Sequence, residues 1–328
     1  MFAPNVEHLG VVETYRWDDY AYWFTPLAYG DAVSRLTSVK INGPMRLQNI
    51  TILLMLPTMR LLELTQVTDM RQEYGRTFEW ESQDIWENDL NESKSNIEHF
   101  HLYDSYVKVS DLKVALRAMR GLKSFVYEHT PNELSIGFLN LDTAAVAELI
   151  RSQPHTLDSL HILRKQDVPC IAIQPHILYQ TVRALPNLVD LELSHMSWPS
   201  SNFKTPEWQD LPAELVCLTL DSINAHCYDG NHDFAHLERN LEALAIRKRR
   251  GEFPNLRTLT LARWHPWYGC VPTNVTYIKT MLHDAGIEFI TRPAMIGSSS
   301  NMSQDIGWVE LQTEPEWVIV HKYFIDSG

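Results

Sequence analysis

Cysteine is scarce in this sequence. The 328 residues include four cysteines, at positions 170, 217, 227 and 270, and no two of them form a C-x-x-C pair. Disulfide scaffolds and zinc ribbons depend on cysteines at close, paired spacings. We therefore expect reduced thiols, and neither a disulfide framework nor a zinc ribbon.

Long apolar runs and targeting signals are missing as well. No stretch approaches the roughly 18 apolar residues that cross a bilayer. The first residues, from Met1 to His8, contain no basic segment followed by an apolar one, which is the pattern of a secretory signal. We expect no membrane association and a cytoplasmic or nuclear protein.

Positive charge is in deficit. The chain has 28 Lys and Arg against 41 Asp and Glu, a formal net charge of −13. Non-specific nucleic-acid binding needs cations that replace phosphate counterions, so we expect no nucleic-acid partner and favour protein partners with basic surfaces.

The basic run at 247–250 lies before Gly251, in the last turn of a predicted helix, where positive charges interact favourably with the helix dipole. We prefer that role to a nuclear-import signal.

Local catalytic motifs are absent too. The sequence contains no G-x-S-x-G, no H-E-x-x-H, no P-loop and no G-x-G-x-x-G after a strand, which are the short motifs of common hydrolases, metalloproteases and nucleotide-binding proteins. We therefore expect a non-enzymatic protein without a cofactor.

What the chain does contain is a recurrent pattern, apolar-x-x-apolar-x-apolar, usually followed by a helical stretch. The copies are Val6/Leu9/Val11, Leu36/Val39/Ile41, Met59/Leu62/Leu64, Ile97/Phe100/Leu102, Leu122/Phe125/Tyr127, Leu157/Leu160/Ile162, Leu188/Leu191/Leu193, Leu215/Leu218/Leu220 and Leu256/Leu259/Leu261, with a degenerate tenth at Ile287/Phe289. Successive copies begin 23 to 41 residues apart, in the range of solenoid repeats.

Each copy predicts a strand preceded by a turn and a helix. Leu191 and Leu193 alternate with Glu192, so the leucines share one face of a strand and the glutamate lies on the other. Pro186 ends the preceding helix. We predict helices at 48–56, 110–119, 142–152, 174–185, 232–249 and 273–284, with Gly121 and Gly251 as C-terminal stops.

This pattern resembles the leucine-rich repeat proteins, and in particular the long, irregular repeat domains of fungal F-box-type proteins. The resemblance covers roughly residues 4–291. It implies an α/β solenoid, or horseshoe, with a parallel sheet on the concave face and helices on the convex face. The implied activity is recognition of a protein, often as the substrate-selecting subunit of a cullin ubiquitin ligase.

Two features depart from that family. The asparagine that usually follows the last strand leucine is replaced, for example by Val67, Ser105 and Thr130. No F-box is found, since that module needs about forty residues before the first repeat and the first pattern begins at Val6. Direct contact with a cullin adaptor is therefore not expected, unless an F-box lies upstream of Met1 in a longer chain.

The resulting domain prediction has two parts. Residues 1–291 form the solenoid, with about ten strand–helix units and an acidic insertion at 71–95. Residues 292–328 form a linker and a capping hairpin, with strands near 308–311 and 317–324. We expect the chain to be monomeric by itself.

The concave sheet is the first candidate binding site. Parallel strands place the residues between the anchors in columns, and the central column reads Gly10, Lys40, Glu63, His101, Val126, His161, Glu192, Thr219 and Thr260. The candidate partner-binding residues are His99, His101, Tyr103, His161, Asp190 and Glu192. The alternative is that they are simply solvated strand residues, which need no function.

Two loop segments supply further candidates. The insertion carries Trp80 and Trp86 among carboxylates, which favours a protein interface, the alternative being an acidic loop packed on the solenoid edge. In segment 226–236, His232 and His236 with Cys227 or His226 could hold zinc. Their spacing matches no zinc motif, so we predict no metal, but a metal- or small-molecule-binding enzyme remains the rival hypothesis.

Overall fold

The computed structural model describes residues 6–13, 35–68, 70–73, 76–79, 95–107, 109–129, 150, 156–164, 182–194, 211–221, 234–264, 275–293 and 318–322. The strands in these ranges are β1 His8–Glu13, β2 Ser38–Met45, β3 Leu61–Val67, β4 Met70–Glu73, β5 Arg76–Glu79, β6 His99–Ser105, β7 Ser124–His129, β8 Ser159–Arg164, β9 Asp190–Ser194, β10 Cys217–Asp221, β11 Thr258–Trp264, β12 Glu288–Pro293 and β13 Val318–Lys322. The helices are a 3₁₀ turn at Leu47–Ile50, followed by α1 Thr51–Met55, α2 Val109–Ala118, α3 Phe234–Arg249 and α4 Val275–Asp284.

Ten strands form one parallel sheet in the order in which they occur in the chain. The order is β12-β11-β10-β9-β8-β7-β6-β3-β2-β1, and β13 adds in parallel beyond β1. Each of the ten repeat patterns therefore forms a strand, and each strand pairs with those of the neighbouring patterns. The predicted α/β class with a parallel sheet is confirmed.

Apolar anchors make one face of this sheet the wall of the core. Leu191 and Leu193 are fully buried, as are their counterparts Leu62 and Leu64 in β3. They belong to a single apolar cluster that also contains helix residues such as Leu244. The helices thus cover the apolar face, and stacking of repeats makes the core continuous from one unit to the next.

A regular set of hydrogen bonds aligns the strand starts. The carbonyl of Asp158, which immediately precedes β8, accepts the amides of Val189 (2.8 Å) and Asp190 (3.0 Å) from the next repeat. The same two-amide arrangement occurs at the carbonyls of Glu7, Thr37, Arg60, Glu98, Lys123, Val189 and Val216. Every repeat therefore begins in the same register as the one before it.

The strand ends are less uniform. Gln66 and Asp104, at corresponding positions of β3 and β6, adopt left-handed φ values of 66° and 49°. Beyond them, the Ser105 hydroxyl accepts the Val67 amide at 3.1 Å, which is a hydrogen bond between neighbouring repeats. In the next repeat His129, and not Thr130 as the sequence spacing suggested, lies opposite Ser105, because the register shifts between Leu102 and Ser105.

Glycine ends two helices. At the end of α3, Gly251 has φ 85°, its amide bonds to the Lys248 carbonyl, and the next amide bonds to the Arg247 carbonyl. Gly286 ends α4 in the same way with φ 76°. Both are Schellman motifs, in which a left-handed residue lets the orphan carbonyls find donors. The predicted C-terminal stop at Gly251 is confirmed, whereas the stop at Gly286 was not predicted. Gly121 follows α2, but its φ is not left-handed.

The inserted and terminal segments are described only in part. Within the insertion, β4 and β5 pair as an antiparallel hairpin. Near the C-terminus, β13 pairs in parallel with β1 from Leu9 to Glu13, while the other strand of the predicted capping hairpin, at 308–311, lies outside the described residues. The predicted helix at 142–152 is described only at residue 150, and that at 174–185 only from residue 182 onward. No helix in the described ranges is long and apolar enough to span a membrane.

Helix ends provide a stability prediction with an internal control. We expect Gly251→Ala and Gly286→Ala each to lower the free energy of unfolding by about 1–2 kcal/mol, because an L side chain is strained in the left-handed region. Gly121→Ala should be neutral or stabilise by about 0.4–1 kcal/mol, since its φ is not left-handed and a Cβ there meets nothing within 4 Å. Urea unfolding of the three variants measures the difference, and equal effects would contradict the assignment of the caps.

The repeat core gives a second prediction. Leu191→Ala should cost about 2–5 kcal/mol in unfolding free energy, because it leaves a cavity between stacked repeats. Val189→Ala, two residues earlier but 40% exposed, should change the same quantity by no more than about 0.5 kcal/mol. A Leu191 variant as stable as the Val189 variant would show that the apolar anchors are not packed as described.

Candidate functional site

All six residues predicted for the concave surface lie on one face of the sheet. This polar face consists of the strand residues that alternate with the buried anchors. His99, His101 and Tyr103 come from β6, His161 from β8, and Asp190 and Glu192 from β9. The strand register reproduces the predicted central column from Gly10 to Thr260 residue by residue.

His161 is the centre of the group because it contacts both carboxylates of β9. Its Nε2 atom lies 2.8 Å from Asp190 Oδ2, and its Nδ1 atom lies 3.3 Å from Glu192 Oε2. The alternation of the strand produces this contact: Asp190 and Glu192 are two residues apart, on the same face, on either side of the imidazole. One ring thus bridges two acidic side chains of the neighbouring repeat.

The surroundings of His161 favour its charged form. Burial by itself would lower its pKa, but the hydrogen bond to Asp190 and the negative charges of Asp190 and Glu192 together raise the pKa above its ordinary value. A protonated imidazole donates a hydrogen bond from each of its two nitrogens. This matches the arrangement here, in which each nitrogen faces one carboxylate oxygen. Below about pH 6.5, the ordinary value for histidine, His161 therefore carries a positive charge between the two carboxylates.

The surroundings of His101, in contrast, favour its neutral form. Burial, together with the nearby His99 and His161 and the charge of Lys40, lowers its pKa to about 3. Its Nε2 lies 3.2 Å from Ser124 Oγ, a neutral partner that can accept or donate. The two histidines are separated by one strand, on which Val126 lies between them and is only 4% exposed.

Aromatic and acidic groups extend the surface on either side. The ring of His101 meets those of His99 and Tyr103 edge-on, with centroids 6.4 and 6.1 Å apart. Burial and the charges of Glu63, Glu128 and Glu192 raise the pKa of Tyr103, so its hydroxyl stays protonated. On β2 and β3, Lys40 Nζ lies 3.5 Å from Glu63 Oε2. Burial nevertheless raises the pKa of Glu63.

A serine next to His161 raises the question of nucleophilic chemistry. Ser159 Oγ lies 3.4 Å from His161 Nε2, but that nitrogen is closer to Asp190, and the hydroxyl also donates to Asp190 Oδ2 at 3.4 Å. A general base needs a free lone pair on the nitrogen that faces the serine. Here the shorter contact of Nε2, 2.8 Å to the Asp190 carboxylate, favours a proton on that nitrogen and not a lone pair that faces Ser159.

The sequence placed the columns correctly, but several of their members were not selected as candidate binding residues. Lys40, Glu63, Ser124 and Ser159 all face the same surface and contact one another or the histidines. The signal was present: Lys40 and Glu63 belong to the predicted central column, and Ser124 and Ser159 each lie two residues before one of its members. What the pattern did not reveal was which neighbours across strands would pair.

The structure describes little of the other candidates. Trp80 and Trp86 lie outside the described residues, as do the side chains of segment 226–236. Within the part of the chain that is described, no group of three or more His, Cys, Asp or Glu is arranged to hold a metal ion. The basic run ends α3 as predicted: Arg247 Nε donates to Glu252 at 2.6 Å, and Lys248 Nζ donates to the carbonyls of Phe253 and Pro254.

Comparisons with known proteins assign no family. No protein-family model matches the chain, and no curated protein matches it significantly.

The two central histidines should titrate far apart. In an NMR titration, we expect His161 to lose its proton above about pH 6.5, the ordinary value for histidine, and His101 to remain neutral until about pH 3. Asp190→Asn should lower the pKa of His161, because the substitution removes the negative charge of the carboxylate that lies closer to the imidazole. Two ordinary titrations near pH 6.5 would contradict the geometry.

The same shifts predict opposite effects on stability. Because unfolded His101 takes up a proton near pH 6.5 and folded His101 does not, the protein should lose stability as the pH falls from about 6.5 toward 3. His161 stabilises the fold below about pH 6.5, and that contribution is lost as the pH rises through its raised pKa. In the His101→Gln variant, the free energy of unfolding should no longer fall between about pH 6.5 and 3 because of this residue. It should still fall as the pH rises through the pKa of His161.

Proposed function

We propose that this protein is a non-enzymatic scaffold of the leucine-rich-repeat type, which binds a protein partner on the polar face of its sheet. The observation that carries the proposal is the network of His101, His161, Asp190 and Glu192, assembled from separate repeats on the face of the sheet opposite the apolar anchors. In repeat proteins, extended sheet surfaces of this kind commonly serve recognition.

The extent of the surface supports a macromolecular partner. Ten repeat strands spaced about 4.8 Å apart present one residue each to every column of the polar face. Its central members include aromatic rings, which are enriched at protein interfaces, beside imidazoles and carboxylates, whose charges can select a partner of complementary charge. A net charge of −13 for the whole chain favours a partner with a basic surface, since complementary potentials speed association and suppress wrong partners.

A narrower form of the proposal follows from the resemblance of the repeats to those of fungal F-box-type proteins. In that form the chain is the substrate-recognition part of a ubiquitin-ligase-like system, and the partner on the polar face is the substrate. The cullin adaptor would then be reached through another subunit or another segment of a longer protein. The scaffold function does not depend on this narrower form.

The test is affinity capture with variants of the polar face. A triple variant, His101→Ala with His161→Ala and Glu192→Ala, should lose a stoichiometric protein partner that the unchanged chain retains. Truncation of a residue at the centre of an interface typically costs about 2 kcal/mol or more of binding free energy. We therefore expect the affinity of the triple variant for the partner to fall at least about tenfold. Quantitative mass spectrometry of the captured proteins measures the loss.

A control variant on the helical side isolates the effect. Glu242→Ala, Tyr277→Ala and Lys279→Ala change three side chains on α3 and α4, where Tyr277 donates to Glu242, and should leave capture unchanged. Circular dichroism confirms that both variants fold. Equal capture by the polar-face variant and the unchanged chain would exclude this face as the binding site, whereas capture without any ligase component would remove only the ubiquitin-ligase form.

A further inference from the structure

The C-terminal strand β13 continues the repeat pattern at the end of the sheet where the chain begins. It pairs in parallel with β1, and its register places Val318 opposite Leu9 and Val320 opposite Val11. Leu9 and Val11 are the anchors of the first repeat and lie in register with the anchors of β2. By its register, β13 is therefore a further repeat strand ahead of the first one.

The place of β13 in the sheet does not follow from its place in the chain. Among the described strands it pairs with β1 alone, at one extremity of the sheet, whereas the preceding strand of that sheet, β12, lies at the other extremity. The ten repeat strands, in contrast, lie next to the strands of neighbouring repeats. The position of β13 is thus fixed by what it pairs with, which is the exposed edge of a first repeat.

The connection from β12 to β13 has a long distance to cover. Ten strand spacings of about 4.8 Å separate the two strands, or about 48 Å along the sheet. Because both strands run in the same direction, the connection must also return by the length of a strand. Residues 294–317 link β12 to β13, and at about 3.6 Å per residue they span at most roughly 86 Å. About half of the available reach is therefore used when β13 pairs with β1 of its own chain.

A second copy of the chain offers the same edge without that requirement. Its β1 has the same sequence, so β13 finds the same hydrogen bonds and the same anchor register there. Exchange of an identical element between protomers is a low-cost route to a dimer, because every contact of the monomer is kept. The distance that the connection must cover then depends on how the two copies lie and no longer on the length of one sheet.

We propose that the edge of β1 binds the β13 strand of a second copy, and that two copies form a dimer by reciprocal exchange of their C-terminal strands. This inference goes beyond the proposed function, since it concerns the assembly of the chain and not its partner. In the dimer each sheet keeps the order β12 to β1 followed by one β13, and each polar face is unchanged. The closed monomer prevails at low concentration, because a second copy competes with a strand that its own chain supplies at an effective concentration of at most about millimolar order.

The length of the connection provides the first test. Deletion of residues 298–313 keeps every described strand and leaves eight residues between β12 and β13, which span at most about 29 Å. This is too short for β13 to reach β1 of its own chain. We therefore expect the shortened chain to be a dimer at micromolar concentration in size-exclusion chromatography with light scattering. Replacement of the same residues by a glycine–serine segment of equal length is the matched control and should remain mainly monomeric. A shortened chain that is folded by circular dichroism but monomeric overturns the proposal.

Crosslinking tests the exchange in chains of unchanged length and does not depend on the deletion. Gly10→Cys and Ile319→Cys lie opposite each other in the register of β1 and β13, and Gly10 has no left-handed φ that a side chain would strain. The two variants, differently tagged, are refolded together at about 1 mM, near the expected effective concentration, and treated with a bifunctional thiol reagent.

We expect a crosslink between the two tags well above that of a control mixture, in which Arg292→Cys replaces Ile319→Cys. Arg292 is exposed on β12, at the opposite extremity, and the control mixture also corrects for the four native cysteines. Equal crosslinking in the two mixtures would overturn the exchange, and any dimer would then use another surface.

Discussion

The constraint on which the rest of this structure depends is the alignment of each strand start with the one before it. A single carbonyl at the end of each turn accepts two amides from the following repeat, and this recurs from Glu7 to Val216. Since side chains alternate along a strand, a slip of one residue would exchange the buried and exposed sets. The repeated hydrogen bonds therefore fix both the continuity of the apolar core and the identity of every residue on the opposite face.

The polar face inherits its chemistry from that alignment. Because the register is constant, a histidine in one repeat meets the acidic residues of the next at hydrogen-bonding distance, and the result is a network that no single repeat contains. Burial lowers the pKa of both central histidines, but the two carboxylates beside His161 raise its pKa above the ordinary value, whereas His101 has a neutral hydrogen-bonding partner and its pKa falls to about 3. The pKa of histidine thus shifts in opposite directions on two strands that are separated only by β7, because the neighbouring groups differ.

Much of this could be predicted from the sequence, and the remainder has identifiable causes. The anchors and the central column follow from period-two alternation, so the strands and their pairing were predicted, as were the helices that end at Met55, Arg249 and Asp284. The position opposite Ser105 was wrong by one residue, because a left-handed Asp104 inserts a register shift that leaves no mark in the apolar pattern. The division of charge between His101 and His161 depends on burial and cross-strand distances, which a one-dimensional pattern does not contain. The pairing of Lys40 with Glu63 was missed for the same reason.

The last described strand has a consequence for assembly. An array of parallel strands in chain order presents a backbone donor and acceptor row at each extremity, and such rows are templates for head-to-tail polymerisation of identical copies. Here β13 returns to the opposite extremity from β12 and occupies the row offered by β1. Among the described strands β13 then forms that extremity of the sheet, so a second copy approaching there would meet the C-terminal strand and not the first repeat.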